Sequence, residues 1–299
     1  MAEMNRVGEA DASPALVRIR ALLPKMRPSE QRIARLFLND PAEASALSIA
    51  DLAARGQTST TTVVRFYRVL GYRHLQELRV DVLRDVARES FETAGLPEAS
   101  GDIDRADSLA DIVAKISLAE TMSISDTAKV LSMDALGQAV DAVARALRID
   151  VFGVGASSFI GLDLQQKLTR IGHTCVNWSD AHSAWTSAVA LPAGTVAVAV
   201  SHSGTTQDTI EYLRLARCSG ATTIAITNHA GAPLASHADI VLTTAARETV
   251  FRSGALGSRI AQLMVIDCLF IGVAQSNYDK SMAALRDTYA AVHQLKVPE

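Results

Sequence analysis

Short apolar runs, each leading into an amphipathic stretch, constrain this chain more than any other feature of it. They are "IDVFGV" (149–154), "TVAVAVS" (195–201), "TTIAIT" (222–227) and "DIVLTT" (239–244), with a weaker one in "HTCVNW" (173–178). Their length suits strands, and none alternates apolar with polar residues as a strand with one wet face would. Helix-patterned segments separate them, among them "GLDLQQKLTRIG" (161–172) and "TTQDTIEYLRLARCSG" (205–220). Continuous apolar strands joined through helices pack as a parallel sheet covered on both faces. The second half of the chain is therefore expected to be α/β, a doubly wound parallel sheet with helices on both faces. The segment 257–275, "GSRIAQLMVIDCLFIGVAQ", is apolar on more than one face and reads as a long core or interface helix.

The first ninety residues have a different texture. "SEQRIARLFLND" (29–40) sets Ile33, Leu36 and Phe37 at helical spacing and is followed by Pro41. In "LSIADLAARGQTSTTTVVRFYRVLGYRHLQELR" (47–79), Ser48 can cap a short helix carrying Ile49, Leu52 and Ala53, and Gly56 supplies a turn. Ser59 or Thr60 can cap a second helix whose Val63, Phe66 and Leu70 face inward until Gly71 ends it. Cap, turn, a small residue at the crossing point and an apolar inner face together make a helix-turn-helix, which lays its second helix in the major groove of DNA. The outer face of that helix would present Ser59, Thr60, Thr61, Arg65 and Arg68, with Arg73 just beyond. Arginine reaches guanine edges or phosphates, and threonine reaches phosphates or a thymine methyl. The alternative is a small helical subdomain with solvated arginines. Charge leans toward DNA: residues 1–90 hold 14 Lys/Arg against 11 Asp/Glu, and the remaining 209 hold 15 against 21.

Between the two textures, "ESFETAGLPEASGDIDRADS" (89–108) carries Gly95, Pro97, Gly101 and several acids without apolar period, so it reads as a linker. Two further helical stretches, about 109–131 and 134–148, follow it. No apolar run approaches the roughly 18–20 residues of a bilayer span. The polar N-terminus lacks a signal-peptide core, and three scattered cysteines (Cys175, Cys218, Cys268) show no disulfide or zinc-ligand spacing. A soluble cytoplasmic protein without membrane, metal or cofactor is the expectation.

In an open parallel sheet, ligands lie beyond the C-terminal strand ends, at helix N-termini whose free N–H groups favour anions. Two loops fit. One is "VFGVGASSF" (151–159), with Gly153, Gly155, Ser157 and Ser158; the other is "SHSGTT", Ser201 to Thr206. Either loop alone could be an ordinary helix cap, and Thr205 with Asp208 has the spacing of a capping box. Together, on successive core strands, they favour a monophosphate site. A dinucleotide fingerprint fails because Ser158 stands where the third glycine belongs, and no nucleoside-triphosphate loop is present.

These residues carry a resemblance. Ser201-His202-Ser203-Gly204-Thr205-Thr206 is similar to the Ser-x-Ser-Gly-x-Thr loop of sugar isomerase (SIS) domains, and Gly153, Gly155 and Ser157 match their first loop. Together with "TVVRFYRVLGY" (62–72) and "FRSGALGSRIAQLMVID" (251–267), the chain resembles the RpiR/MurR family of sugar-phosphate-responsive transcription regulators from about residue 16 to 285. The resemblance implies two domains, with an all-α helix-turn-helix head over 1–90, a linker over 91–108 and an α/β SIS domain over 109–299. It implies double-stranded DNA with a palindromic operator, a phosphorylated sugar effector and a homodimer or homotetramer. Effector-binding candidates are Gly155, Ser157, Ser158, Ser201, His202, Ser203, Thr206 and Glu248. The chain departs from the family in its turn, where Gln57 stands at the usual glycine and Thr58 at a usual small apolar residue.

SIS domains also occur in isomerases and lyases, so a phosphosugar enzyme with an accessory head is the alternative. Such an enzyme needs a general base near a substrate carbon. His202, His182 and Glu248 are available but sit in no catalytic constellation, and Glu248 can simply pair with Arg252. No catalytic residue is assigned. His182, Asp180, Arg247 and Glu248 are equally readable as sugar contacts or as structural residues.

Overall fold

A computed structural model of the chain describes residues 14–92, 103–246 and 255–293. Arg247, Glu248, Arg252 and most of the expected linker lie outside the described residues. The chain divides into two compact units, residues up to 101 with 105–118, and 102–104 with 119 onward.

The first unit is helical: α1 (Ala15–Leu22), a 3-10 turn (Leu23–Lys25), α2 (Pro28–Asn39), α3 (Pro41–Ala46), α4 (Ile49–Arg55), α5 (Thr60–Val69) and α6 (Leu75–Glu92). Its boundaries follow local chemistry. Pro28 and Pro41 stand in the first turns of α2 and α3, where a missing N–H costs nothing. Ser48 accepts from Asp51 N to cap α4, and Ser59, rather than Thr60, accepts from Thr62 N to cap α5. Ile33, Phe37, Leu52, Val63, Phe66 and Leu78 are fully buried in one core, with Phe37 and Phe66 stacked at 5.6 Å. Each such side chain contributes about 1.5–3 kcal/mol of burial.

The turn between α4 and α5 resolves the departure from the family pattern. Gly56 has an ordinary negative φ, but a Cβ there would come within 2.4 Å of Ile33 Cδ1. Gln57 takes the left-handed conformation itself, at φ 48°. The Arg32 guanidinium holds the turn from below, donating to the carbonyls of Gly56 (2.7 Å) and Gln57 (3.0 Å).

The second unit orders five parallel strands β2-β1-β3-β4-β5: β1 (Ile149–Gly153), β2 (Cys175–Trp178), β3 (Val196–Val200), β4 (Thr222–Thr227) and β5 (Ile240–Thr243). Its helices are the C-terminal part of α7 (Leu109–Val130), α8 (Met133–Arg145), α9 (Ala156–Arg170), α10 (Ala181–Ala188), α11 (Gln207–Cys218), α12 (Leu256–Ser276) and α13 (Tyr278–His293). The sheet has two unlike faces, and β3 shows why. Val196, Val198 and Val200 pack with α8, α9 and α12, whereas Ala197 and Ala199 pack with α10 and α11. Asp150 on β1 is fully buried, yet Arg148, Trp178 Nε1 and Ser187 Oγ all donate to it.

α9 starts at Ala156, with Ser157 and Ser158 in its first turn, because Gly155 (φ 61°, ψ −125°) turns the chain straight from β1 into the helix. Two expectations need correction. The Thr205–Asp208 capping box does not form. Thr206 is the N-cap residue of α11 and caps nothing, and Thr205 Oγ1 is hydrogen-bonded to Ser203 Oγ at 2.9 Å. An apolar stretch of spanning length does exist: α12 runs 21 residues, and its most apolar window has mean hydropathy 1.6. Here that apolarity is spent on the core, through Ala261, Val265, Ile266, Leu269 and Val273.

Candidate functional site

In the order 2-1-3-4-5, β1 and β3 are neighbours whose following helices, α9 and α11, pack on opposite faces of the sheet. The crevice between their C-terminal ends is the topological switch point, where open α/β sheets bind ligands. A concavity of about 180 Å³ opens there, lined by Val154 and Ser157 after β1, by Val200, Ser201, His202, Ser203 and Thr206 at the end of β3, and by Ala255 and Ser258 at the start of α12.

Its shape is set by the loop after β3. Gly204, at φ 64°, donates its N–H toward Ser201 O and Ser201 Oγ (both 3.2 Å), and its carbonyl accepts from Leu234 N (3.0 Å). Asn228 N and Thr227 Oγ1 both donate to His202 O, tying the loop to the end of β4. Ser201 is buried, with Oγ 3.2 Å from Thr206 Oγ1, so these two hydroxyls face one another across the loop mouth. The His202 ring packs edge-on against His229 at 6.0 Å.

Three helices begin at this concavity, and among the described residues none has a side-chain cap: Gly155 opens α9, Thr206 opens α11 and Ala255 opens α12. By contrast, Ser48, Ser59, Ser132 and Asp180 each cap the helix they precede. The first N–H groups of a helix are donors without intrahelical partners, at the positive end of its dipole. Three such ends around one hollow are suited to an anion.

Of the expected effector residues, the structure brings Ser157, Ser201, His202, Ser203 and Thr206 together. Gly155 shapes the entry to α9 without lining the hollow, and the Ser158 hydroxyl turns back to donate to Gly155 O (2.7 Å). His182 on α10 and Asp180 just before it do not line the hollow: Asp180 accepts from Ser183 N as the helix cap, which holds its carboxyl below the usual range, and His182 packs on Trp185. Glu248 lies outside the described residues. Ala255 and Ser258, at the N-cap and in the first turn of α12, join the lining without a local sequence signal that marks them.

In the helical unit, Thr60, Thr61, Arg65 and Arg68 are exposed along α5, and Arg73 is exposed in the loop after it. The Ser59 hydroxyl is committed to capping α5 and lies 3.1 Å from Thr62 Oγ1. The Arg73 backbone N–H donates to Glu77 Oε2 (2.8 Å), and this bond draws the Glu77 carboxyl below its ordinary pKa.

A helix-turn-helix head joined to a sugar isomerase-type sheet defines a class, the transcription regulators that carry a small-molecule domain. Known proteins agree. Residues 14–89 match the helix-turn-helix domain of the rpiR family, and residues 142–272 match the SIS domain. An HTH-type transcriptional regulator of Caldanaerobacter subterraneus subsp. tengcongensis is 36% identical over 279 residues, covering 93% of this chain and 97% of that one. The Vibrio vulnificus NanR protein, solved in complex with ManNAc-6P, is 28% identical with TM-score 0.60, covering 95% of this chain and 100% of that one. The sugar isomerase domain of an RpiR transcription factor from Sphaerobacter thermophilus shares the fold, at 24% identity and TM-score 0.55, covering 60% of this chain and 98% of that one. The chain belongs to the rpiR family of helix-turn-helix transcriptional regulators.

Proposed function

We propose that this regulator binds an operator through α5 and that a sugar phosphate seated between β1 and β3 sets its affinity for that operator. The observation that carries the effector half is the meeting of three uncapped helix N-termini at one hydroxyl-lined hollow. Its volume, below the roughly 300–1,000 Å³ of drug-sized ligand sites, suits the phosphate end of a small ligand. The NanR relative was solved with ManNAc-6P, which makes phosphorylated amino sugars the first compounds to test.

Sensing is favoured over turnover by the placement of His202, whose ring packs on His229 while its backbone carbonyl anchors the loop. Self-association through the second unit is part of the proposal. Phe159 on α9 and Ile271 on α12 are each 60% exposed in the single chain, a burden that a partner copy would remove. A two-fold dimer would set two α5 helices on the half-sites of a palindrome. DNA affinity then changes only by the difference in effector affinity between the two arrangements, typically about 1–3 kcal/mol.

The test is a fluorescence-anisotropy titration against DNA from upstream of the protein's own and neighbouring genes, at two salt concentrations, with and without a panel of hexose and amino-sugar phosphates. Salt-sensitive binding to one fragment that shifts with one phosphosugar is expected. Turnover of that phosphosugar, with DNA binding unchanged, would instead establish the enzyme.

A further inference from the structure

The helical unit holds a second hollow, about 490 Å³, between the turn after α1 and the outer side of α5. Lys25 and Arg27 line it from the turn and the entry to α2, and Arg65 and Arg68 line it from α5, with Glu30 between them. Four cations from two separate stretches converge here, and none forms an ion pair with a described carboxylate. The one carboxylate in the lining is already engaged: Glu30 is buried and its Oε2 accepts from Arg27 N at 3.0 Å. Other arginines of the unit are placed differently. Arg32 donates to the α4–α5 turn, Arg55 pairs with Glu43, and Arg79 donates to Leu47 O.

We infer that this hollow seats a backbone phosphate of the DNA, with Lys25 and Arg27 reaching it from outside the helix-turn-helix. The inference rests on the reading of α5 as the DNA-binding helix. A helix lying in the major groove is flanked by phosphates, and cations beside it fix register without reading bases. Arg65 and Arg68, sharing the hollow with Lys25 and Arg27, are thereby directed to the sugar-phosphate wall. Base reading falls to the N-terminal end of α5, at Thr60 and Thr61, the end from which recognition helices commonly reach base edges.

The experiment compares the full-length wild type with Lys25→Gln/Arg27→Gln. Both side chains are exposed, and glutamine keeps most of each stem, so the fold should be retained; circular dichroism checks it. A duplex is first selected by the wild type from a randomised library, and binding to it and to a scrambled duplex is followed from 50 to 200 mM KCl. Each phosphate no longer neutralised should lower the salt slope by about 0.9, so wild-type affinity should fall about 3.5-fold more than the variant's over that range for each such phosphate. The change should be equal on both duplexes, and the variant should select the same sequence. An unchanged slope overturns the phosphate seat, as does selection of a different sequence by the variant, which would make these residues base readers. Loss of inorganic phosphate binding by calorimetry with the slope intact also overturns it, in favour of a free-anion site. A wild type that enriches no sequence overturns the reading of α5 and the seat together, whereas selection with a full slope in the variant overturns the seat alone.

Discussion

Gly204→Ala should damage the effector pocket more than Gly155→Ala, and the structure says by how much. Gly204 has φ 64°, where an alanine costs about 1–2 kcal/mol of backbone strain, and Gly155, at φ 61° and ψ −125°, lies in the mirror-image extended region, where an alanine costs about 1–3 kcal/mol. At Gly155 nothing lies within 4 Å of an added Cβ, and the strain is the whole effect. At Gly204 the added carbon would sit 2.4 Å from Ala232 Cβ and 2.8 Å from Thr227 Oγ1. Carbon atoms prefer about 3.5–4.0 Å, and the Ala232 methyl cannot rotate away. Overpacking of this kind adds about 1–3 kcal/mol, for a total near 2–5 kcal/mol. Urea unfolding followed by tryptophan fluorescence measures it cleanly, because the two tryptophans, Trp178 and Trp185, both lie in the second unit. Gly204→Ala should also displace the Ser201–Thr206 loop and abolish the phosphosugar response while leaving DNA affinity without sugar intact. Equal destabilisation by the two alanines, or full phosphosugar affinity in Gly204→Ala, would refute the reasoning.

Other outcomes follow from the same geometry. Ser201→Ala with Ser203→Ala should weaken phosphosugar binding at least tenfold by calorimetry, removing two donors worth about 1 kcal/mol or more each, and leave operator binding unchanged. Gln57→Gly should raise the stability of the helical unit by about 0.5–1 kcal/mol, as relief of the left-handed φ exceeds the added chain entropy; circular dichroism melting checks it. Burial pushes the Cys175 thiol up to about 12, so in the native protein at pH 8 iodoacetamide should label exposed Cys218 and spare Cys175, as read by mass spectrometry. The sign of the linkage is fixed by that shift. The unfolded thiol releases its proton near pH 9 and the folded one does not, so stability should fall as pH rises from about 9 toward 12.

What was legible in the sequence was whatever local chemistry decides. The strands of the sheet are apolar runs, whereas the helices that cover each face of β3, α8, α9 and α12 on the Val side and α10 and α11 on the Ala side, are set by the fold. Ser48 and Ser59 cap helices because each hydroxyl stands three residues before an unpaired first-turn N–H and can accept from it while donating to a side chain of the same turn. Thr205 and Thr206 depart from that rule because Ser203 and Ser201 of the same loop hold their hydroxyls, and the loop takes that shape only where Gly204 is anchored to Leu234 and His202 to the end of β4. Ser258 was missed for a plainer reason: it follows Ser157 by a hundred positions, and only the sheet order brings the two to one hollow. Likewise, only the fold of α1 and its turn places Lys25 and Arg27 beside α5.

The missing caps have a consequence beyond recognition. If an anion supplies what Gly155, Thr206 and Ala255 do not, the effector completes the fold of the second unit as well as informing it. A ligand at one hundred times its dissociation constant stabilises the native state by about 2.7 kcal/mol, lowering the unfolded fraction about a hundredfold. Cellular proteases act on that fraction. The abundance of such a regulator would then rise with the metabolite it responds to, giving the cell a slow record of supply alongside the fast switch at the operator.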